Sequence, residues 1–152
     1  MNRNAFLIAG GSLSALAGLS HALMALAGAP AYRYFGAGES MALAAEAGSP
    51  LPAVVTLGIC GVLVTFGAYA FSAAGVLKPL PKQKLMLSVI TGIFLIRGGA
   101  VLLELVLPHF SSMRVPPQEY VFSLIALAIG MLYAMGGGGL QPEHGPSRST
   151  NS

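Results

Sequence analysis

Charge is what this chain has least of. Only 9% of its 152 residues are charged, and aspartate and tryptophan are absent altogether. A water-soluble domain carries roughly a quarter charged residues, so this chain could not clothe a water-facing surface. With 55% hydrophobic residues and a mean hydropathy of +0.73, lipid is its expected solvent. Cys60 is the single cysteine, which excludes an intrachain disulfide, a CxxC redox pair and a cysteine-built metal site. Missing tryptophan removes the usual indole anchors of a membrane interface. The net charge of +3 comes without any Lys/Arg run beside aromatics, so nucleic acid is not an expected partner. GxSxG, P-loop, HExxH and DxD patterns are missing, and His21 has no HxxxH or HxxE companion. The sequence therefore supplies no catalytic motif, no metal set and no cofactor motif.

What is present is apolar length. Four runs, at about 5–29, 51–77, 85–107 and 118–135, approach or exceed the ~20 residues that cross a bilayer. The first is longer than the roughly 7–15 apolar residues of a signal peptide and contains His21, so an uncleaved span is expected. Within it Gly10, Ser14 and Gly18 recur every four residues, the spacing that lets helices approach closely. On the second run Thr56 and Cys60 form a polar stripe beside Gly58, Gly61 and Thr65. Between these runs lies the longest loop, Pro30–Pro50. Its first part holds Tyr32, Tyr34 and Phe35, suited to the headgroup zone. Its second part, about 39–47, is rich in helix formers and is followed by Gly48 and Pro50, so a short interfacial helix is expected there.

The expected fold is all-α: one integral domain over 1–136, a four-transmembrane-helix bundle with that interfacial helix in the first loop. Residues 137–152, rich in Pro, Ser and Gly, are expected to be a disordered cytoplasmic tail. Four spans place Arg3, Lys78, Lys82, Lys84 and Arg148 on one side and Arg33 and Arg114 on the other. The positive-inside bias then puts both termini in the cytoplasm, in a bacterial inner membrane.

Against this background Arg97 stands out, near the middle of the third run with Glu104 two turns later. A central Arg costs roughly 2.5–3.5 kcal/mol on the insertion scale, so something must offset it. At ~1.5 Å per residue, Arg97 lies roughly 18 Å from the cytoplasmic end of its span, Glu104 near 28 Å and His21 near 23 Å along span one. Thr56 and Cys60 enter the same outer half on span two, as do Tyr120 and Ser123 on span four. Arg97 should lean toward its own N-terminus, away from Glu104. It therefore needs another acceptor: Glu39 or Glu46 from the loop, a carbonyl, or water. The expectation is an outward-facing polar pocket built from Arg97, Glu104, His21, Glu39, Glu46, Arg33, Thr56 and Tyr120.

The segment Tyr32-Arg33-Tyr34-Phe35-Gly36-Ala37-Gly38-Glu39, following a first span with His21, resembles a signature of small uncharacterised bacterial inner-membrane proteins. These have four spans and often an arginine in the third, which Arg97 would match. The resemblance reaches to about Met135 and implies no activity. Vitamin K epoxide reductase-like proteins need paired cysteines, and small multidrug exporters need a glutamate in span one; this chain has neither.

Three functional expectations follow. The pocket could bind or transport a small solute, ion or lipid headgroup, an anionic one suiting a guanidinium, with His21 gating by protonation. Alternatively, the charges tie helices together in a structural or accessory subunit. A membrane enzyme using Glu39, Glu46 and His21 as acid–base groups ranks last. Membrane lipid is the expected partner, and the small-residue faces allow a homo-oligomer.

Overall fold

The computed structural model describes residues 2–106 and 117–138, and for 101–106 the backbone alone. All regular structure among these residues is α-helical: α1 (Arg3–Ala27), α2 (Ala29–Tyr34), α3 (Glu39–Glu46), α4 (Leu51–Ala73), α5 (Gln83–Val106) and α6 (Pro117–Gly137). Three of them, α1, α4 and α6, are long and apolar enough to cross a membrane. The expected fourth, α5, is 24 residues long, but its described part includes Lys84 and Arg97. Among the described residues the count is therefore three. Residues 107–116 and 139–152 lie outside the description, and with them Arg114, Arg148 and the expected disordered tail, as does the Glu104 side chain.

Two antiparallel pairs make the bundle. α1 packs most extensively on α4 and α5 on α6, and contact between α1 and α6 joins the pairs, while α4 and α5 touch lightly. The small-residue stripe of α1 sets these approaches. Gly11 faces Ala70 and the Gly67 carbonyl, Gly18 faces the Cys60 carbonyl and Val64, and Gly10 lies under the Tyr133 ring. That stripe is thus consumed inside the chain. Gly58 and Gly61 on α4 have nothing within 4 Å of where a side chain would be. The core joins Leu7, Phe66, Ala70, Leu87, Ile90, Phe94, Ala126, Ile129 and Tyr133.

One polar group is admitted to this core on strict terms. Tyr133, fully buried, donates from Oη to the Phe66 carbonyl at 2.9 Å, leaving Oη to accept from Ser14 Oγ at 3.1 Å. A buried hydroxyl without partners would cost ~1–3 kcal/mol. Here it links α1, α4 and α6. Ser72 plays a similar part at the end of α4: Oγ donates to the Lys78 carbonyl (2.8 Å) and accepts from Leu80 N (2.9 Å) and Gln83 Nε2. The α4–α5 connection is held by this one side chain.

Helix ends depart from expectation by a few residues, and one helix was not expected. The aromatic part of the first loop is helical, forming α2. Gly28 (φ +72°) turns the chain after α1 and Pro30 stands in the first turn of α2, a position where its missing N–H is no loss. α2 ends by donating Ala37 N–H to the Tyr32 carbonyl at 2.9 Å and Gly36 N–H to the Arg33 carbonyl at 3.4 Å, a Schellman closure. Glycines 48 and 75 close α3 and α4 the same way. α2 and α3 form a small cap over one end of the bundle, with Met24, Ala29, Tyr32 and Ala42 buried beneath it.

Candidate functional site

The register of α5 on α6 places Arg97. Gly98 packs on Leu127 and Gly130 on Leu95, so Arg97 is level with the middle of α6. Its partners are higher. Nη1 donates to Ser123 Oγ at 3.1 Å and Nη2 to Glu119 Oε2 at 2.8 Å. Both lie nearer the start of α6, Ser123 by about one and a half turns and Glu119 by about two and a half, which is the C-terminal direction of α5. The expected lean toward the N-terminus of α5 is therefore corrected. The Cβ tilt of a helix is a weak bias, whereas a guanidinium among apolar neighbours gains by reaching along the seam to polar partners. Below that level α6 buries Ile129, Gly130 and Tyr133, whose hydroxyl is already bonded to Phe66 and Ser14, whereas its first turns offer Glu119 and Ser123.

The expected acceptors Glu39 and Glu46 are corrected too. They lie seven residues apart on one face of α3 and share a different cation. Arg33 donates Nε to both Glu39 oxygens at 3.1 Å, Nη2 to Glu39 Oε1 at 2.8 Å and to Glu46 Oε2 at 3.1 Å, and Nη1 to Glu46 Oε1. Arg33 thus clasps α2 to α3. Both carboxyls are held below their ordinary value of 4.5, first by the hydrogen bonds from Arg33. The Arg33 guanidinium is raised by Glu46 and then by Glu39.

Glu119 connects the two clusters in space. While Oε2 takes Arg97, Oε1 fills the place of a Gly36 side chain: a Cβ there would stand 2.7 Å from it. Gly36 also has φ +74°, a left-handed conformation that glycine adopts at no steric cost. Beside this contact Gln118 Nε2 donates to the Tyr34 carbonyl at 3.2 Å, and the Phe35 and Phe122 rings lie 5.7 Å apart. The segment 32–39 is thereby accounted for. Tyr32 is buried in the cap, Arg33 and Glu39 clasp it, and Tyr34, Phe35 and Gly36 dock it on the first turns of α6.

Of the remaining expected site residues, none of His21, Thr56 and Tyr120 shares a hydrogen bond with Arg97 among the described residues. His21 Nδ1–H donates to the Ala17 carbonyl of its own helix at 2.7 Å. Thr56 is buried on α4 and Tyr120 is half-buried on α6. Glu104 sits near the C-terminal end of α5 and its side chain is outside the described residues. Glu119 was missed as Arg97's partner, although Glu119 and Ser123 are four apart on one helix face, at the depth Arg97 needs. Among the described residues no group of three His, Cys, Asp or Glu could hold a metal ion. A cavity of about 310 Å³ opens at the opposite end of the α5–α6 seam, beside Lys84 and Gly138. No family model, curated protein or solved structure matches the chain.

Proposed function

We propose that the chain is a four-span integral protein of a bacterial inner membrane, crossing with α1, α4, α5 and α6 and keeping both termini in the cytoplasm. Its role in this reading is structural or accessory: the charge pairs hold a periplasmic cap on the bundle. The Arg97–Glu119 pair carries the proposal. It satisfies the most expensive charge in the chain from within, and it spends Glu119's second oxygen on the cap turn at Gly36. At ~1.5 Å per residue α5 is long enough to cross a hydrocarbon core of ~30 Å. The enzyme reading loses support because Arg33 occupies both loop carboxylates and His21 bonds its own helix.

A binding or transport role for Arg97 keeps one observation in its favour. Its side chain is 50% exposed, against 19% for Glu119, so a small anion could approach the free edge of the guanidinium. Thermal melting of the detergent-solubilised protein with inorganic phosphate or acetate separates the two readings. A structural tie leaves the midpoint unmoved at millimolar anion; a rise that Arg97→Met abolishes makes Arg97 a ligand site. Topology is checked by single cysteines, Ser40→Cys or Lys82→Cys on a Cys60→Ala background. An impermeant maleimide should label the first in intact cells and the second only after permeabilisation; the reverse overturns the orientation.

A further inference from the structure

The end of the bundle opposite the cap has a charge imbalance. Arg3, Lys78, Lys82 and Lys84 all lie there, while Glu39, Glu46 and Glu119 lie at the cap end. Among the described residues the lysine end therefore has four cations and no carboxylate. The cavity of about 310 Å³ opens at the same end. It is a groove along the α5–α6 seam, lined on α5 by Lys84, Ser88 and Thr91, with Tyr133 and Leu87 among its walls. On the α6 side it is lined by Ala134, Gly137 and Gly138, whose small side chains leave the seam unfilled.

The chemistry of this groove is graded along its length. Ser88 Oγ and Thr91 Oγ1 already donate to the carbonyls of Lys84 and Leu87, at 3.0 and 2.7 Å. Lys84 is thus the donor at its mouth, backed by the positively polarised start of α5. The opposing C-terminal dipole of α6 is met by Arg3, whose Nε reaches the Gly136 carbonyl at 3.5 Å. Deeper in, the lining turns to Leu87, Thr91, Tyr133 and Ala134. A cationic mouth over an apolar slot fits an amphiphile with an anionic head.

We propose that this groove binds an anionic glycerophospholipid of the cytoplasmic leaflet, its phosphate at Lys84 and one acyl chain along the seam toward Thr91. Basic pockets between spanning helices on the cytoplasmic side recognise such headgroups. The inference rests on the membrane reading above, and the experiment separates the two.

The full chain is reconstituted in phosphatidylcholine vesicles containing spin-labelled phosphatidylglycerol or spin-labelled phosphatidylcholine, and the motionally restricted fraction of each label is measured. Phosphatidylglycerol should be selected severalfold over phosphatidylcholine. Lys84→Gln should cut that selectivity about fivefold, the effect of one basic residue near a charged leaflet. Lys78→Gln, on the same end but outside the groove, should change it far less. Ala134→Phe, which fills the slot without altering charge, should also abolish selectivity. Added inorganic phosphate should displace no lipid. Equal losses from Lys78→Gln and Lys84→Gln overturn the groove in favour of diffuse attraction, as does selectivity surviving Ala134→Phe, or displacement by phosphate. A chain that floats with the vesicles but shows no selectivity sinks the groove alone. A chain left in the aqueous fraction sinks the membrane reading and the groove with it.

Discussion

The guanidinium of Arg97 and the carboxylate of Glu119 meet at 2.8 Å across the α5–α6 seam, and the second oxygen of that carboxylate occupies the space a Gly36 side chain would need. One acidic residue therefore serves two contacts of different kinds. Toward α5 it pairs with the guanidinium of an otherwise apolar helix stretch. Toward the cap it makes a steric demand that only glycine meets. Position 36 and position 97 are thus coupled through a residue far from both in sequence.

Gly36→Ala should be the most damaging glycine substitution in the cap. It combines a disfavoured φ with a contact of 2.7 Å to Glu119 Oε1. At Gly48, φ is +75° but nothing lies within 4 Å, so Gly48→Ala reports the backbone penalty alone, ~1–2 kcal/mol. Thermal melts in detergent should show Gly36→Ala costing more than Gly48→Ala. Equal costs would mean that Glu119 moves aside freely.

Adjacent glycines on α5 provide a second contrast. A Cβ at Gly98 would stand 2.6 Å from the Leu127 nitrogen and 2.8 Å from its Cα, whereas Gly99 has nothing within 4 Å. Backbone cannot yield as a side-chain tip can. Gly98→Ala should therefore open the α5–α6 seam and cost ~1–3 kcal/mol. Gly99→Ala should be neutral or stabilising by up to ~1 kcal/mol through helix propensity. The check is the melting midpoint of each variant.

Removing one hydroxyl tests the polar link in the core. Tyr133→Phe deletes the bonds to the Phe66 carbonyl and Ser14 Oγ but keeps the ring stacked on Phe94, 5.9 Å away. A loss of ~1–2 kcal/mol is expected. Ser14→Ala combined with it should cost little more, because the two hydroxyls share one bond.

The cap should loosen in acid. Glu39 and Glu46 titrate below 4.5 because Arg33 hydrogen-bonds their charged forms. A carboxyl whose folded pKa is depressed stabilises fully above its unfolded value, and that contribution vanishes as pH falls through the folded value. A spin label at Ser40→Cys, on a Cys60→Ala background, should be restricted at neutral pH and become mobile between about pH 5 and pH 3. In Arg33→Gln it should be mobile throughout. The groups are exposed, so high salt should weaken the clasp in the parent chain as well.

Sequence reasoning reached the long helices because apolar length is a local property. It reached the end of α3 for the same reason, since Gly48 is a local signal. Pairing was harder to read. Arg97 was matched with Glu39 and Glu46 because they sit in the first loop, yet Arg33, only six and thirteen residues away from them in sequence, reaches them first. Glu119 stands in the first turn of α6, where an acidic residue already favours the helix dipole, so its identity alone does not point to Arg97. Only the register of α5 on α6, fixed by Gly98 and Gly130, shows that its depth suits Arg97. The Tyr133–Ser14 bond and the Ser72 hub were equally illegible. They depend on which helices become neighbours, and an isolated serine or tyrosine carries no trace of that.

The tie at the centre of the fold is tested most directly by a double-mutant cycle on Arg97→Met and Glu119→Leu, read as unfolding free energy in bicelles. Each single substitution leaves one charge without its partner and should cost ~1–3 kcal/mol. The double variant should recover most of that loss, because an ion pair in a low-dielectric site is often replaceable by apolar groups, and the coupling energy should reach ~1 kcal/mol or more. Strictly additive single effects, with no coupling, would contradict the tie between Arg97 and Glu119.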